Sequence, residues 1–308
     1  MLKALDAFKL GKLVALPTET VYGLSAPYDH EILIKKIFEV KKRPFFDPLI
    51  VHISSLDEAK SLVENWGELE QKLANLFWPG PLTLVLKKNN KINDLITAGL
   101  PTVGIRMPAH AMAQEFLKKL GKPVVAPSAN MFGKTSPTCA EHVGKEFSEQ
   151  DVFILDGGNC AIGIESTIVK VENGQLYLLR KGMITKQEIE EKMGIVVREN
   201  KNNKIETAGQ LEFHYQPRIP LCYVPVGHDL DSYISLVREK LRRPFTQGYE
   251  LKLSSSAILA ARELYTKLRS FYGEEGNYIF FCETKEQIRD PLWEAILERL
   301  EKAACYKN

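Results

Sequence analysis

The 308-residue sequence predicts an α/β chain, with a mixed sheet and helices in its first two-thirds and a small parallel three-layer unit at its end. Apolar runs of strand length recur at 13–16, 49–53, 82–86, 103–107, 124–126, 152–155, 167–171 and 175–179. Helical and Gly/Pro-rich segments alternate between them. Some runs are joined too closely for a crossover helix, so part of the pairing must be antiparallel. From residue 221 strand and helix alternate three times, which implies a parallel, Rossmann-like layered domain.

In chain order, 2–10 reads as an amphipathic helix (Leu2, Leu5, Phe8) stopped by Gly11, and 13–16 as a strand ended by Pro17. The following PTETVYGLSAP is polar and turn-rich, and reads as a loop. Ile34, Ile37 and Phe38 repeat at helical spacing until Pro44, which disfavours helix at the residue before it. Ser55 with Glu58, and Thr185 with Glu188, have capping-box spacing, and the second helix closes at Gly194. A helix over 69–77 breaks at Pro79-Gly80-Pro81; further helices are expected at 111–120 and 140–147. Residues 1–198 are thus one domain and 199–220 a linker, polar at first and then aromatic and proline-bounded (His214-Tyr215-Gln216-Pro217). The last domain, 221–308, has strands at 221–226, 249–253 and 278–282 and helices at 230–241, 257–271 and 291–304, the last with Asp290 at its cap and Pro291 in its first turn.

A net charge of +2 supplies no global basic field, and composition does not argue for nucleic acid or an anionic membrane. There is no bilayer-length apolar run and no signal-peptide core, so a cytoplasmic protein without membrane association is expected. The five cysteines are irregularly spaced without C-x-x-C and the six histidines form no paired metal motif, so reduced thiols and no structural zinc are expected.

Chemistry-bearing residues cluster at strand ends. Lys41 and Arg43 close a helix, Asp47 follows in a turn, and His52 sits among aliphatics on a strand: an anion pocket beside a small-molecule pocket, or simply cations meeting a helix dipole. Other clusters are Thr18-Glu19-Thr20; Thr102 with Arg106; Ser128-Ala129-Asn130 with Ser136; and Glu165-Ser166 with Arg180. Arginines there could take phosphates and a carboxylate by bidentate forks. No G-x-S-x-G surrounds Ser166 and no P-loop is present, which rejects a serine hydrolase and a P-loop nucleotide site.

The strings PTETVYGL, KKRPFFDPLIVHI, WPGPLTLVL, VGIRMP, APSANMFGKTSPT, DGG with GIESTIV, and LLRKG span nearly all of residues 10–185. In this order they resemble the threonylcarbamoyl-AMP synthase family, the YrdC-like proteins, in its long two-domain form. The chain departs from that pattern at Ala208-Gly209-Gln210, at HYQP and at LLRKG, where the family commonly has Pro-Gly-Met, HYAP and LRPG.

The resemblance implies a YrdC-like open twisted sheet and a nucleotidyltransferase that makes threonylcarbamoyl-AMP and pyrophosphate from L-threonine, bicarbonate and ATP. Carried over by position, Thr20, His52, Arg106, the Ala126 backbone and Ser166 would hold threonine, with Arg106 on its carboxylate. Lys41, Arg43, Asp47, Thr102, Ser128, Asn130, Ser136 and Arg180 would hold ATP, Lys41 and Arg43 as the catalytic cations, with Tyr215 reaching the nucleotide from a linker that acts as a lid. Magnesium is expected with the triphosphate and no protein metal site is assigned. A tRNA threonylcarbamoyl transferase is the expected functional partner, and direct tRNA binding is not expected. A YrdC-like RNA-binding module is the alternative; backbone binding would collapse with salt, whereas catalysis in a buried pocket would not.

Overall fold

The computed structural model describes residues 1–199, 206, 207, 209 and 214–307, so most of the polar linker, with Ala208 and Gln210, lies outside the described residues. The chain divides into two units, Met1–Phe132 with Ser136–Leu211, and Gly133–Thr135 with Glu212–Asn308.

The strands of the first unit are β1 (Leu13–Leu16), β2 (Gly23–Pro27), β3 (Ile50–His52), β4 (Leu82–Lys87), β5 (Thr102–Arg106), β6 (Val124–Val125), β7 (Val152–Ile154), β8 (Thr167–Glu172), β9 (Gln175–Arg180) and β10 (Val197–Glu199). Among the described residues they form one mixed sheet in the order β10-β9-β8-β4-β5-β3-β6-β2-β1-β7. The loop expected across PTETVYGLSAP is only partly a loop: Gly23–Pro27 forms the fully buried β2, antiparallel to β1. Its Gly, Ser and Pro carry little strand propensity, and pairing with β1 and β6 overrides that. β8 and β9 close a hairpin through Asn173-Gly174, both at positive φ (51° and 72°), the backbone that a tight right-twisted hairpin requires.

Alternation along the central strands gives the sheet two faces. Val51, Leu82, Leu84, Leu86, Val103, Ile105 and Val169 enter the main core. The other face carries a small apolar floor of Ile50, Val85, Ile168 and Leu179. Period two sets Thr83 beside Val85, Thr102 and Arg106 either side of Gly104, and His52 beyond Ile50 on this second face. The parallel register of β3 with β5 places His52 opposite Arg106 and Ile50 opposite Gly104. Lys170, on the same face of β8, pairs with Glu206 at 2.7 Å, which ties that residue of the linker to the first unit.

Among its described residues the second unit has three parallel strands, β11 (Leu221–Val224), β12 (Gln247–Glu250) and β13 (Asn277–Cys282), in the order β11-β13-β12. Cys222, Val224, Tyr233, Ile234, Val237 and Phe245 form its core. The helix expected over 291–304 forms as Trp293–Ala303, and a short helix that the pattern did not announce, Lys285–Arg289, precedes it. Thr284 and Gln287 cap the short helix reciprocally, and the Asp290 carboxylate accepts from Leu292 N at 2.9 Å in the turn between the two. Tyr215 is buried in this unit, its ring 5.7 Å from that of Tyr265 and 5.8 Å from the Arg299 guanidinium.

Candidate active site

The cationic end begins where the helix Glu31–Lys41 stops. Lys42 takes the left-handed conformation (φ 53°), and Arg43 N then bonds back to Phe38 O at 2.9 Å. This reversal turns Lys41 and Arg43 inward while Lys42 stays exposed. Lys41 Nζ donates to Ser128 O at 2.6 Å and to Asn130 O, which pins the helix end to the loop after β6. An ammonium has three donors, so one N–H of Lys41 remains for an anion. Burial, and then Arg43, hold the Lys41 ammonium well below its usual range.

Arg43 donates through Nε to Asp47 O (3.1 Å) and through Nη2 to Pro48 O (2.9 Å). Asp47 Oδ2 lies 2.9 Å from Arg43 Nη2, close enough for an ion pair but without hydrogen-bond alignment, and neither Asp47 oxygen accepts a hydrogen bond. Burial raises the Asp47 carboxyl, and Arg43, Lys41 and Arg180 each pull it back. Asp47 thus faces three cations, and such a gathering of cations suits a polyphosphate. Extending the β3–β5 register two residues back sets the half-buried Thr102 level with Pro48, at this same end.

The other end is built on Arg106, 4% exposed. Its Nε donates to Gly80 O at 3.2 Å, Nη1 to Thr20 Oγ1 at 2.8 Å and Nη2 to Glu19 Oε1 at 2.6 Å. His52 Nδ1 is 3.3 Å from Ile50 O, a carbonyl that can only accept. Nδ1 therefore carries the proton and Nε2 is an acceptor. Burial, helped by Arg106, pushes the His52 pKa down to about 3, so the ring is neutral near pH 7. Ala126 N donates to Ile50 O at 3.0 Å, so a ligand at Ala126 would meet its carbonyl.

Ser166 meets the cationic end through Arg180 and the strand before Arg106 through Thr83, which the antiparallel β4–β5 register sets opposite Arg106. Arg180 donates through Nε to Ser166 O and through Nη2 to Ser166 Oγ, both at 3.0 Å, and Ser166 Oγ lies 2.7 Å from Thr83 Oγ1. Ser136 Oγ donates to Glu165 Oε1 at 2.6 Å next along the chain. The structure thus links Ser166, assigned to threonine, directly to Arg180, assigned to ATP. It places Tyr215 in the second unit.

Sequence reasoning assigned no role to Glu19, Glu165, Thr83 or Gly182. Thr83 had a signal, a lone hydroxyl in the apolar run LTLVL. Gly182 had none: a Cβ there would lie 2.4 Å from Thr167 N and 2.8 Å from Ser166 C, so only glycine lets the RKG turn approach Ser166.

The described residues contain no group of three or more His, Cys, Asp or Glu that could hold a metal ion. Asp47 lies against Arg43, Lys41 and Arg180, a poor seat for a divalent ion. A metal here would come with the phosphates that bind it. No helix among the described residues is long and apolar enough to cross a membrane.

The fold and this site define an α/β enzyme whose main sheet brings together a cluster of buried cations and a buried, braced arginine. Residues 6–182 match the family described as Telomere recombination, and residues 184–305 match Threonylcarbamoyl-AMP synthase, C-terminal domain. The chain belongs to the threonylcarbamoyl-AMP synthase family, in its long form. It is 36% identical to the Threonylcarbamoyl-AMP synthase of Pyrococcus abyssi, over 96% of this chain and 92% of that one. Identity to the Bacillus subtilis protein of the same name is also 36%, over 95% and 89%. The crystal structure of P. abyssi Sua5 complexed with L-threonine superposes with a TM-score of 0.85 at 34% identity, covering 99% of this chain and 94% of that one.

Proposed function

We propose that this chain is an L-threonylcarbamoyladenylate synthase, a nucleotidyltransferase that joins L-threonine, bicarbonate and ATP into threonylcarbamoyl-AMP and pyrophosphate. The observation that carries the reading is the bridge at Ser166 between a cation-rich end and a carboxylate-binding end. The reaction needs an amino acid and a triphosphate side by side, and no protein nucleophile.

In this reading Arg106 takes the threonine carboxylate, beside Thr20, Ser166 and the Ala126 carbonyl. The neutral His52 offers Nε2 to the substrate's ammonium or hydroxyl. The amine adds to bicarbonate with loss of water, and the carbamate oxygen then attacks the α-phosphorus, displacing pyrophosphate. Lys41 and Arg43 supply fixed positive charge to the phosphates as charge moves onto the leaving group, with Arg180, Asn130, Ser128, Ser136 and Thr102 positioning the nucleotide. Asp47 serves the nucleotide site beside Arg43, with which it is ion-paired. Tyr215 is assigned to the nucleotide and the 199–220 segment to a lid, as the family pattern suggests. Magnesium enters with ATP as part of the substrate. The product is a reactive mixed anhydride, and its consumer is a tRNA threonylcarbamoyl transferase.

The test is pyrophosphate release from ATP with bicarbonate and single amino acids. Release should require L-threonine and bicarbonate together, stop with a chelator and return with magnesium. Equal release without an amino acid would overturn the synthase reading.

A further inference from the structure

We propose that Glu19 is a positioning residue that aims the Arg106 guanidinium at the substrate's α-carboxylate; this rests on the reading that Arg106 binds L-threonine. The sequence-derived site contains Thr20 and Arg106 but not the carboxylate between them.

A guanidinium has five N–H donors. Gly80 O takes the one on Nε, Thr20 Oγ1 takes one on Nη1, and Glu19 Oε1 takes one on Nη2. One N–H remains on each Nη, the pair that a bidentate carboxylate uses. The acceptors are themselves fixed. Glu19 Oε2 accepts from Ala109 N at 3.1 Å, three residues beyond Arg106. Glu19 therefore spans the PTET loop and the exit of β5 with both oxygens.

The Thr20 hydroxyl is set as well. Thr18 Oγ1 donates to Val21 O at 2.6 Å, so across the 2.9 Å contact between the two hydroxyls Thr20 is the donor and Thr18 the acceptor. Thr20 Oγ1 then receives from Arg106 and cannot turn away. Glu19 and Arg106 are both more than nine-tenths buried, so solvent does not loosen the pair. Glu19 confines the guanidinium to one plane and offsets its charge before substrate arrives.

The experiment compares direct binding of L-threonine and L-threonine methyl ester to the full-length chain, unsubstituted and as Glu19→Gln and Glu19→Asp. The ester lacks the charge that Arg106 reads. Glu19→Gln retains an acceptor for Arg106 without the charge, and its NH2 cannot accept from Ala109 N, so the side chain that braces the guanidinium loses one of its own two anchors. We expect the preference for threonine over its ester to fall about tenfold or more in Glu19→Gln, a lost charge-assisted hydrogen bond. Ester affinity and the KM for ATP should stay unchanged. Glu19→Asp, with the charge on a shorter arm, should lose part of the preference, and it decides the matter if Glu19→Gln does not fold. An unchanged preference in the folded variants, or an equal loss for ester and threonine, overturns the role. Absence of threonine-dependent pyrophosphate release in the unsubstituted chain would instead sink the reaction, which this binding ratio does not depend on.

Discussion

Replacing Arg43 with alanine should cost both fold and turnover, and the two losses can be separated. The side chain makes hydrogen bonds to Asp47 O and Pro48 O and an ion pair to Asp47, a carboxylate with no solvent exposure. Removing one partner of a buried pair leaves the other uncompensated, at about 3–5 kcal/mol. At about 2–4 °C per kcal/mol for a domain near this size, Tm should fall on the order of 10 °C. Arg43→Lys keeps the charge but cannot reproduce the fork, so it should recover part of Tm with little turnover. The neighbouring Lys42 is exposed, and Lys42→Ala should change Tm and pyrophosphate release little. Lys42→Gly should raise stability slightly, because glycine adopts the left-handed cap at no steric cost. Thermal melts by circular dichroism and steady-state pyrophosphate release at 20 °C separate the effects. If Arg43→Ala melts like the parent, or Lys42→Ala loses as much activity, the cluster is only a helix end meeting its dipole.

The other perturbations test separate parts of the site. The His52 pKa lies near 3 when folded and 6.5 when unfolded, so between these values the unfolded chain binds the extra proton. Its stabilising contribution is therefore present above pH 6.5 and is lost as pH falls toward 3; His52→Gln should flatten that limb in urea midpoints, and parallel curves would exclude the assignment. Gly182→Ala should displace Ser166 and raise the KM for threonine about tenfold or more, whereas an unchanged KM would show that the turn yields instead. Tyr215→Phe, which keeps the buried ring against Tyr265, should lower turnover in the full chain with its circular dichroism preserved; a silent variant removes the hydroxyl from the nucleotide's contacts.

Much of the central sheet could be read from apolar runs, because β4, β5, β8 and β9 are built from residues that also have strand propensity. Both capping boxes announced real helix starts: Ser55 and Glu58 cap reciprocally, and Thr185 accepts from Glu188 N at 3.1 Å. β2 was not legible, since GLSAP becomes a strand only through its neighbours. Lys41 could be flagged, but not the direction of its side chain, which follows from the left-handed turn at Lys42. Glu19 stood in a flagged cluster, but its role was hidden for a similar reason: its partners, Arg106 and Ala109, lie 87 and 90 residues away. Local pattern reports which residues are available for chemistry; long-range pairing decides which of them hold the others.

In β5, Val103 and Ile105 enter the core, while Thr102, Gly104 and Arg106 belong to the opposite face. Residues one peptide bond apart thus answer to different selective pressures. A saturation scan across 102–106 should resolve into two interleaved profiles, one tracking abundance in the cell and the other tracking product formed per folded molecule. An insertion or deletion of a single residue in the strand would exchange the two sets and forfeit both. Substitution can tune this strand, but its length is fixed.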